Sequence, residues 1–367
     1  MNHATKTKGA LHLRITTVAI AATLASLSVV YAAAGAAAKK GPTLVVYSAQ
    51  GYDSAAVTAF NKTNPGFTVT LNDNSTGPLL QQIQAEGHNP KWGVLWVDGA
   101  TAFAQLDREG MLAKHIVPHV QYNAVGRANV PADGSYVPTS MTATGALVYD
   151  SAQIKASQLP TTWAQLASAK YKGMLGMNDP TQSGPTFPMI AGIMDFLGHY
   201  SKGSTAKAVK AGEAYLTTLK RNGLLINATN GPTIGAIQSH TIKMAIVQSS
   251  AGYGQQLTSF PTLRVKYLNP VIALPGVVGI DAKMPATVRA EARQFVDWLM
   301  SRAGQHVMQT GDPQGDSLFW PVLNGEKPSS KVMPAITRVP MITINPYVWG
   351  PLETTINNWF TVNINNG

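Results

Sequence analysis

The sequence predicts an α/β protein of two discontinuous lobes joined by a two-strand hinge, and three observations carry that prediction. Three times before Asp107 an apolar run ends in a small polar or glycine turn and opens into a helical pattern. The runs are Val45-Val46-Tyr47-Ser48-Ala49-Gln50-Gly51, the one closing on Asp73-Asn74-Ser75-Thr76-Gly77-Pro78, and Leu95-Trp96-Val97-Asp98-Gly99. A second strand–helix alternation begins after the long strand-like segment Thr142–Tyr149. The chain crosses between the two units twice, near Ser140–Gly145 and near Tyr267–Val271, which makes the connection a hinge. In open α/β sheets ligands lie at the carboxyl ends of strands, where helix starts offer free backbone N–H groups. The pattern therefore predicts a pocket as well as a fold.

Taken in order, Leu44–Ser48 reads as a strand and Ser54–Asn61 as a short helix with Asp53 as its N-cap. Phe67–Leu71 is the next strand. Pro78–Glu86 is a helix with proline at its first position, where the missing N–H costs nothing, and Thr76 or Gly77 as cap. Val94–Val97 is almost continuously apolar, as in a buried parallel sheet. The second unit reads as a helix at Thr161–Ala167, a strand at Gly173–Met177 and a helix at Pro185–Leu197. Ser204–Asn222 follows as a long helix with Lys207, Lys210, Lys220 and Arg221 on its wet faces. Then come a short helix at Pro232–Ser239 and a strand at Lys243–Gln248. Val271–Ile280 is a strand, and Ala286–Ser301 and Gln305–Thr310 are helical. Lobe 1 is thereby expected to take residues 39–140 and 268–318, and lobe 2 residues 141–267 and 319–367.

The start of the chain and its composition bound where this pocket works. Lys6, Lys8 and Arg14 precede the apolar run Ile15 to Tyr31, and Ala36-Ala37-Ala38 closes it. That order reads as a secretory signal peptide over residues 1–38. The threonines and serines inside the run make it weakly apolar for a membrane span. Cysteine is absent, which excludes disulfides, thiolate metal sites and a lipidated cysteine anchor. A free periplasmic protein is expected. The formal charge of the chain is +10, and removing the leader's three basic residues leaves +7, a balance that favours an anionic ligand or surface. The basic residues form neither a stripe nor a recognition motif, so no nucleic-acid partner is expected.

Several ordered motifs resemble those of the extracellular solute-binding proteins of bacterial ABC importers, in particular the branch labelled iron(III)- or 2-aminoethylphosphonate-type. They are VVYSAQGYD, NSTGPLLQQIQAEG, VLWVDGATAFAQLDREGML, ALVYDSAQI, FVDWLMSRAGQ and the series Trp163…Lys172-Gly173…Asp179-Pro180-Thr181…Ser183-Gly184. The resemblance covers Lys39 to about Val322, and the tail from Asn324 is not distinctive. It implies a two-lobed type II periplasmic-binding-protein fold that closes on a small solute and delivers it to membrane permease subunits, as a monomer without cofactor or chemistry on the ligand.

Ferric members of that family carry an adjacent Tyr-Tyr pair after the strand matching Lys243–Gln248, with a carboxylate and often a histidine from the first lobe. Here the stretch is Gln248-Ser249-Ser250-Ala251-Gly252-Tyr253, the histidine position falls on Gly51-Tyr52, and Asp98 is the one matching acid. The site expected instead consists of hydroxyls and helix starts: Ser48, Tyr52, Ser75, Thr76, Gly77, Thr142, Thr144, Ser183, Gly184, Ser249, Ser250 and Tyr253. Such donors suit phosphate or phosphonate oxygens. Asp98 suits a cationic group on the same ligand, so a small anionic or zwitterionic solute such as 2-aminoethylphosphonate is expected. A ferric receptor and a sensory subunit signalling to a membrane partner are the alternatives. Each turn taken alone also reads as a plain helix cap, and Trp92 and Trp96 read as packing.

The familiar nucleophile-elbow, phosphate-loop, zinc-helix and dinucleotide motifs are all missing. His115 and His119 stand four apart, but Pro118 between them denies a metal-binding helix face. No enzyme is expected.

Overall fold

The computed structural model describes residues 43–199 and 204–366, so the predicted leader lies outside the described residues. Strand β1 (Thr43–Ser48), helix α1 (Asp53–Asn61), β2 (Thr68–Asp73), α2 (Thr76–Glu86), β3 (Val94–Asp98) and α3 (Ala100–Arg108) alternate along the chain. β1 lies between β2 and β3 and is parallel to both. Successive residues of these strands point to opposite faces, and both faces are covered. Leu44, Val46, Val94 and Trp96 enter one core with Phe60 of α1. Tyr47, Leu95 and Val97 enter another with Leu79 and Ile83 of α2 and Phe103 of α3.

A short helix α4 (Ala124–Ala128) precedes β4 (Tyr136–Asp150), every residue of which is buried. The second alternation is α5 (Trp163–Leu166), β5 (Leu175–Asn178), α6 (Thr186–Gly198), α7 (Thr205–Arg221), β6 (Leu225–Asn227), α8 (Asn230–Gln238), β7 (Met244–Val247) and α9 (Ser249–Thr258). The long strand β8 (Leu263–Ile280) then returns antiparallel along β4. It is followed by α10 (Ala286–Leu299), α11 (Arg302–Gly311), β9 (Met341–Ile342), α12 (Pro346–Trp349) and α13 (Glu353–Phe360).

The strands form one mixed sheet in the order β2-β1-β3-β8-β4-β7-β5-β6, with β9 beside β8. β8 pairs with β3 through Val94–Ile280 and Asp98–Gly276, while β4 pairs with β7 through Ala146–Val247 and Tyr149–Met244. The two longest strands therefore belong to both halves of the sheet. Their ladder is broken where Thr144–Ile272 gives way to Ala146–Tyr267, so β8 carries Leu268–Val271 opposite Gly145. Gly145 has φ +76°, and a Cβ there would stand 3.0 Å from the Trp163 ring. Trp163 donates its indole N–H to the Pro270 carbonyl at 2.7 Å and meets Tyr215 edge-on. This is what the tryptophan of the most specific sequence motif does: it pins the irregular stretch of β8.

Some local expectations change. Asp53 is not an N-cap; it is the first residue of α1, because its own N–H closes a turn onto the Gln50 carbonyl. Ser75 takes the N-cap position of α2, so Thr76 and Gly77 lie within the helix and Pro78 is its third residue, still among the unpaired N–H positions. β3 is parallel to β1 but antiparallel to β8, so the sheet is mixed. The helix expected at Thr161–Ala167 shortens to Trp163–Leu166, capped by the Thr162 hydroxyl.

The undistinctive tail is a strap. Tyr347 donates its hydroxyl to Asp107 of α3 at 2.9 Å, and Trp349 donates its indole N–H to Asp195 of α6 at 3.0 Å. Trp349, Ile356, Phe360 and Ile364 share a core cluster with Trp163, Phe187 and Leu216. Among the described residues no helix is long and apolar enough to cross a membrane.

Gly192 lets α6 lie against β8: a Cβ there would fall 2.1 Å from Cγ1 of Ile272. Gly192→Val should lower stability by about 2–3 kcal/mol through overpacking, read as a lower urea midpoint with an unchanged slope.

Candidate functional site

The carboxyl end of β3 delivers Asp98 to the junction of the two halves, and glutamines from both halves meet it there. Gln50, in the turn between β1 and α1, donates its amide to Asp98 Oδ1 at 3.1 Å. Gln248, at the junction of β7 and α9, donates to Asp98 Oδ2 at 3.0 Å and reaches the Thr142 hydroxyl at 3.3 Å. Tyr52 donates its hydroxyl to Gln50 Oε1 at 2.6 Å and lies 3.4 Å from the Ser140 hydroxyl. Its ring is held between Trp96 and Phe319.

A second carboxylate repeats the arrangement. Asp316 Oδ2 accepts the Gly51 N–H at 2.8 Å, and Oδ1 accepts the Ser250 hydroxyl at 3.5 Å. Its loop is set by Asp312, whose Oδ2 accepts the Asp316 N–H at 2.7 Å. Asp98 and Asp316 are thus each held between the same two turns, one from each half of the sheet.

These acids lack positive neighbours. Among the described residues the ion pairs are Lys114 with Asp107 and Asp133, and Arg302 with Glu326. Burial raises the Asp98 carboxyl far above the usual carboxylate range, and the charge of Asp316 pushes it the same way. Burial also raises Asp316, with Asp312 adding to the effect. Asp53 is pushed up to about 7 by burial, against a bond from Ser48 and with Asp73 and Asp316 adding repulsion. One of its oxygens, Oδ2, is buried without a hydrogen-bond partner.

Of the residues singled out from sequence, Ser48, Tyr52, Asp98, Thr142 and Ser250 lie in or beside this cluster. Ser48 Oγ accepts the Gln50 N–H at 3.2 Å. The turn of Ser75, Thr76 and Gly77 meets that of Ser183 and Gly184 across the junction. A Cβ on Gly77 would stand 1.9 Å from the Thr181 carbonyl oxygen, and one on Gly184 2.3 Å from the Thr76 hydroxyl. Two long helices, α2 and α6, therefore begin against one another. Thr144 donates to the Pro185 carbonyl, Ser183 accepts from Asn178, and Ser249 accepts the Ala143 N–H, each within 3.1 Å. Tyr253 lies apart, its hydroxyl 2.9 Å from that of Tyr267. Trp92 and Trp96 are fully buried, as packing residues are.

Gln50, Ser140, Gln248, Asp312 and Asp316 were not singled out. The run Asp312-Pro313-Gln314-Gly315-Asp316 carried a turn signal, but only the fold brings it beside the β1–α1 turn. A separate cavity of about 220 Å³ lies between Gly99, Pro188, Pro275 and Tyr347. Strand alternation puts Pro275 on the face of Val277, away from the Trp96 face that carries Asp98.

With this geometry in view the kinship is decided by one match: the bacterial extracellular solute-binding protein family fits residues 46–306. The chain belongs to that family. It is a solute-binding receptor of the ABC-transporter kind, with the type II periplasmic-binding-protein fold. The receptor is 24% identical to the Fe(3+)-binding periplasmic protein of Serratia marcescens over 82% of this chain and 86% of that one. Iron-bound HitA from Pseudomonas aeruginosa superimposes with a TM-score of 0.70 at 20% identity, covering 86% of this chain and 98% of that one. AfuA from Actinobacillus pleuropneumoniae, with fructose-6-phosphate bound, superimposes with a TM-score of 0.73 at 18% identity, covering 89% and 99%.

The raised carboxyls make the receptor's stability pH-dependent in a definite sense. In the unfolded chain an Asp loses its proton near pH 4, whereas Asp53, Asp98 and Asp316 keep theirs to higher pH when folded. The folded state then binds more protons, so stability is fullest below about pH 4 for these groups and falls as pH rises through their folded values. Asp98→Asn should therefore raise the solute-free melting temperature at pH 8 more than at pH 5, by the equivalent of about 1–3 kcal/mol. An equal shift at both values would mean that Asp98 is charged throughout.

Proposed function

We propose that this receptor serves an importer for a small zwitterionic solute, of which 2-aminoethylphosphonate is the type, held between the two halves of the sheet. The observation that carries the reading is that Asp98 is bonded simultaneously by Gln50 from one half and Gln248 from the other. A group at that position is enclosed when the halves meet and released when they part. Closure is then driven by contacts available only in the closed form.

Two chemistries support the two ends of the solute. The carboxylates suit a cationic end. The converging starts of α2 and α6, at Thr76-Gly77 and Ser183-Gly184, suit an anionic one, because helix N-termini carry partial positive charge and unpaired N–H groups. Hydroxyls of Thr142, Thr144 and Ser249 already serve internal bonds, which supports a reading in which the carboxylates and backbone do more of the recognition. The lobe limits follow as part of the reading, residues 39–140 and 268–318 against 141–267 and 319–367. So do a leader over residues 1–38, a periplasmic location and docking on permease subunits.

A ferric cargo has two relatives in its favour, the Fe(3+)-binding protein of Serratia marcescens and iron-bound HitA. The donor set here supports an organic solute: the adjacent tyrosine pair of ferric receptors is missing from the stretch Gln248-Ser249-Ser250-Ala251-Gly252-Tyr253. Among the described residues no three His, Asp or Glu side chains gather as metal ligands would. A sensory role would use the same cleft, and the neighbouring genes distinguish it: permease and ATPase genes accompany an importer.

Thermal-shift measurement with 2-aminoethylphosphonate tests the reading. At 100 times its dissociation constant a ligand stabilises by about 2.7 kcal/mol, and Ser75→Ala with Thr76→Val should reduce that shift. A melt that responds to ferric ion alone, with a coloured phenolate band, would replace the organic reading. Gly77→Val should wedge the halves apart through the Thr181 carbonyl. Expected are a larger radius in small-angle scattering and affinity weaker by about tenfold, equivalent to 1.4 kcal/mol, with circular dichroism unchanged.

A further inference from the structure

The tyrosine and carboxylate chemistry at the cleft centre narrows the solute beyond its being zwitterionic. We propose that the solute binds at Asp98 and Asp316 with an N–H-bearing cation, an ammonium or a guanidinium group, and takes over the hydrogen-bond position on Asp98 that the Gln248 amide holds. The inference rests on the receptor reading above and specifies its recognition group.

Four observations lead to it. The chain has 28 Lys and Arg against 18 Asp and Glu, yet no ion pair of the described residues involves Asp53, Asp98 or Asp316. A buried carboxylate without a cation is strongly disfavoured, so acids gathered at a closing cleft call for charge from outside. Second, Asp53, which is 2% exposed, keeps its Oδ2 without a partner at the same β1–α1 turn. That is a buried acceptor which no protein donor reaches. Third, both oxygens of Asp98 accept from primary amides, at 3.1 and 3.0 Å. The site is therefore shaped for N–H donors, and Gln248, which belongs to the other half, withdraws as the halves part.

The fourth observation separates the classes of cation. A quaternary ammonium is held by the open faces of aromatic rings. Tyr52, the ring beside this cluster, is 1% exposed and is packed against Trp96 in a tilted contact and Phe319 in an edge contact, at centroid distances of 5.3 and 5.9 Å, so it offers no open face. What remains for the solute is carboxylate oxygen, which bonds N–H groups, with bidentate geometry available to a guanidinium.

The test is isothermal titration of the purified protein with matched probes. They are 2-aminoethylphosphonate against ethylphosphonate, agmatine and arginine against their uncharged N-free analogues, and choline as the quaternary control. Fructose-6-phosphate serves as an anion lacking nitrogen. The expected result is that at least one ammonium or guanidinium probe binds, its N-free analogue binds far more weakly, and choline does not compete. Asp98→Asn and Asp316→Asn should each weaken that probe by about thirtyfold or more, while Asp107→Asn, distant from the cleft, leaves it unchanged. Gln248→Ala should retain or tighten binding, because it removes a competitor for Asp98. Binding of ethylphosphonate or fructose-6-phosphate that is indifferent to Asp98→Asn overturns the cation inference and leaves the receptor reading standing. Failure of every probe, charged or not, overturns both.

Discussion

The antiparallel ladder between β4 and β8 is the constraint on which the other features depend. Because each strand is long enough to pair with a different neighbour at each end, β3 on one side and β7 on the other, two α/β halves share one sheet. Sharing fixes where strand ends point. The carboxyl ends of β1 and β3 face the carboxyl end of β7, and the side chains of the cleft come from those ends and the turns after them, from Ser140 and Thr142 of β4, and from the loop after α11. The β4–β8 ladder shifts register twice, between Pro138 and Ser140 and between Thr144 and Ala146, and it is at the second, opposite Gly145, that Trp163 and the tail's β9 attach. A bend at that place would change the spacing of the halves without disturbing the packing inside either one.

Closing the halves has an electrostatic cost that the protein does not offset. Buried carboxyls respond to desolvation by holding their protons, and the raised values of Asp53, Asp98 and Asp316 are that response. Neutral amides soften the penalty by donating hydrogen bonds but supply no charge. A stable receptor would ordinarily replace such acids with apolar or neutral side chains. Their concentration at the junction is therefore better explained by function than by stability: a cation arriving with the solute relieves a strain that the empty closed form must bear, which biases closure toward the occupied state.

Much of the fold was legible because it is written in hydrophobic period and turn chemistry. Val94–Val97 and Val271–Ile280 lie almost wholly buried, so their apolar runs are nearly unbroken, and the long helix read from Ser204 begins where the Ser204 hydroxyl accepts the Lys207 N–H. What was not legible depends on distance in sequence. Asp316 reaches Gly51 across 265 residues, and Gln248 reaches Asp98 across 150; neither pairing leaves a local pattern. The hydroxyl-rich turns misdirect attention in the opposite way. Their composition suits an oxyanion, but hydroxyl protons of Thr142 and Thr144 go to main-chain carbonyls and the Ser249 oxygen accepts a main-chain N–H. Side-chain type says what a group can bond, and only the fold says which partner claims it first.

Glycines keep the number of side chains at the cleft small. Gly51 lies where a Cβ would meet Asp312 at 2.2 Å, Gly254 where one would meet the Gln314 backbone at 2.2 Å, and Gly77 and Gly184 where the two helix starts cross. At each of these points the main chain itself forms the wall. The enclosed chemistry is consequently reduced to two carboxylates, two amides, a few hydroxyls and the N–H groups of two helix starts. The same fold, 20% and 18% identical to this chain, has iron bound in HitA and fructose-6-phosphate bound in AfuA. In this chain the turns present acids without bases, and that imbalance is the most specific information its cleft contains.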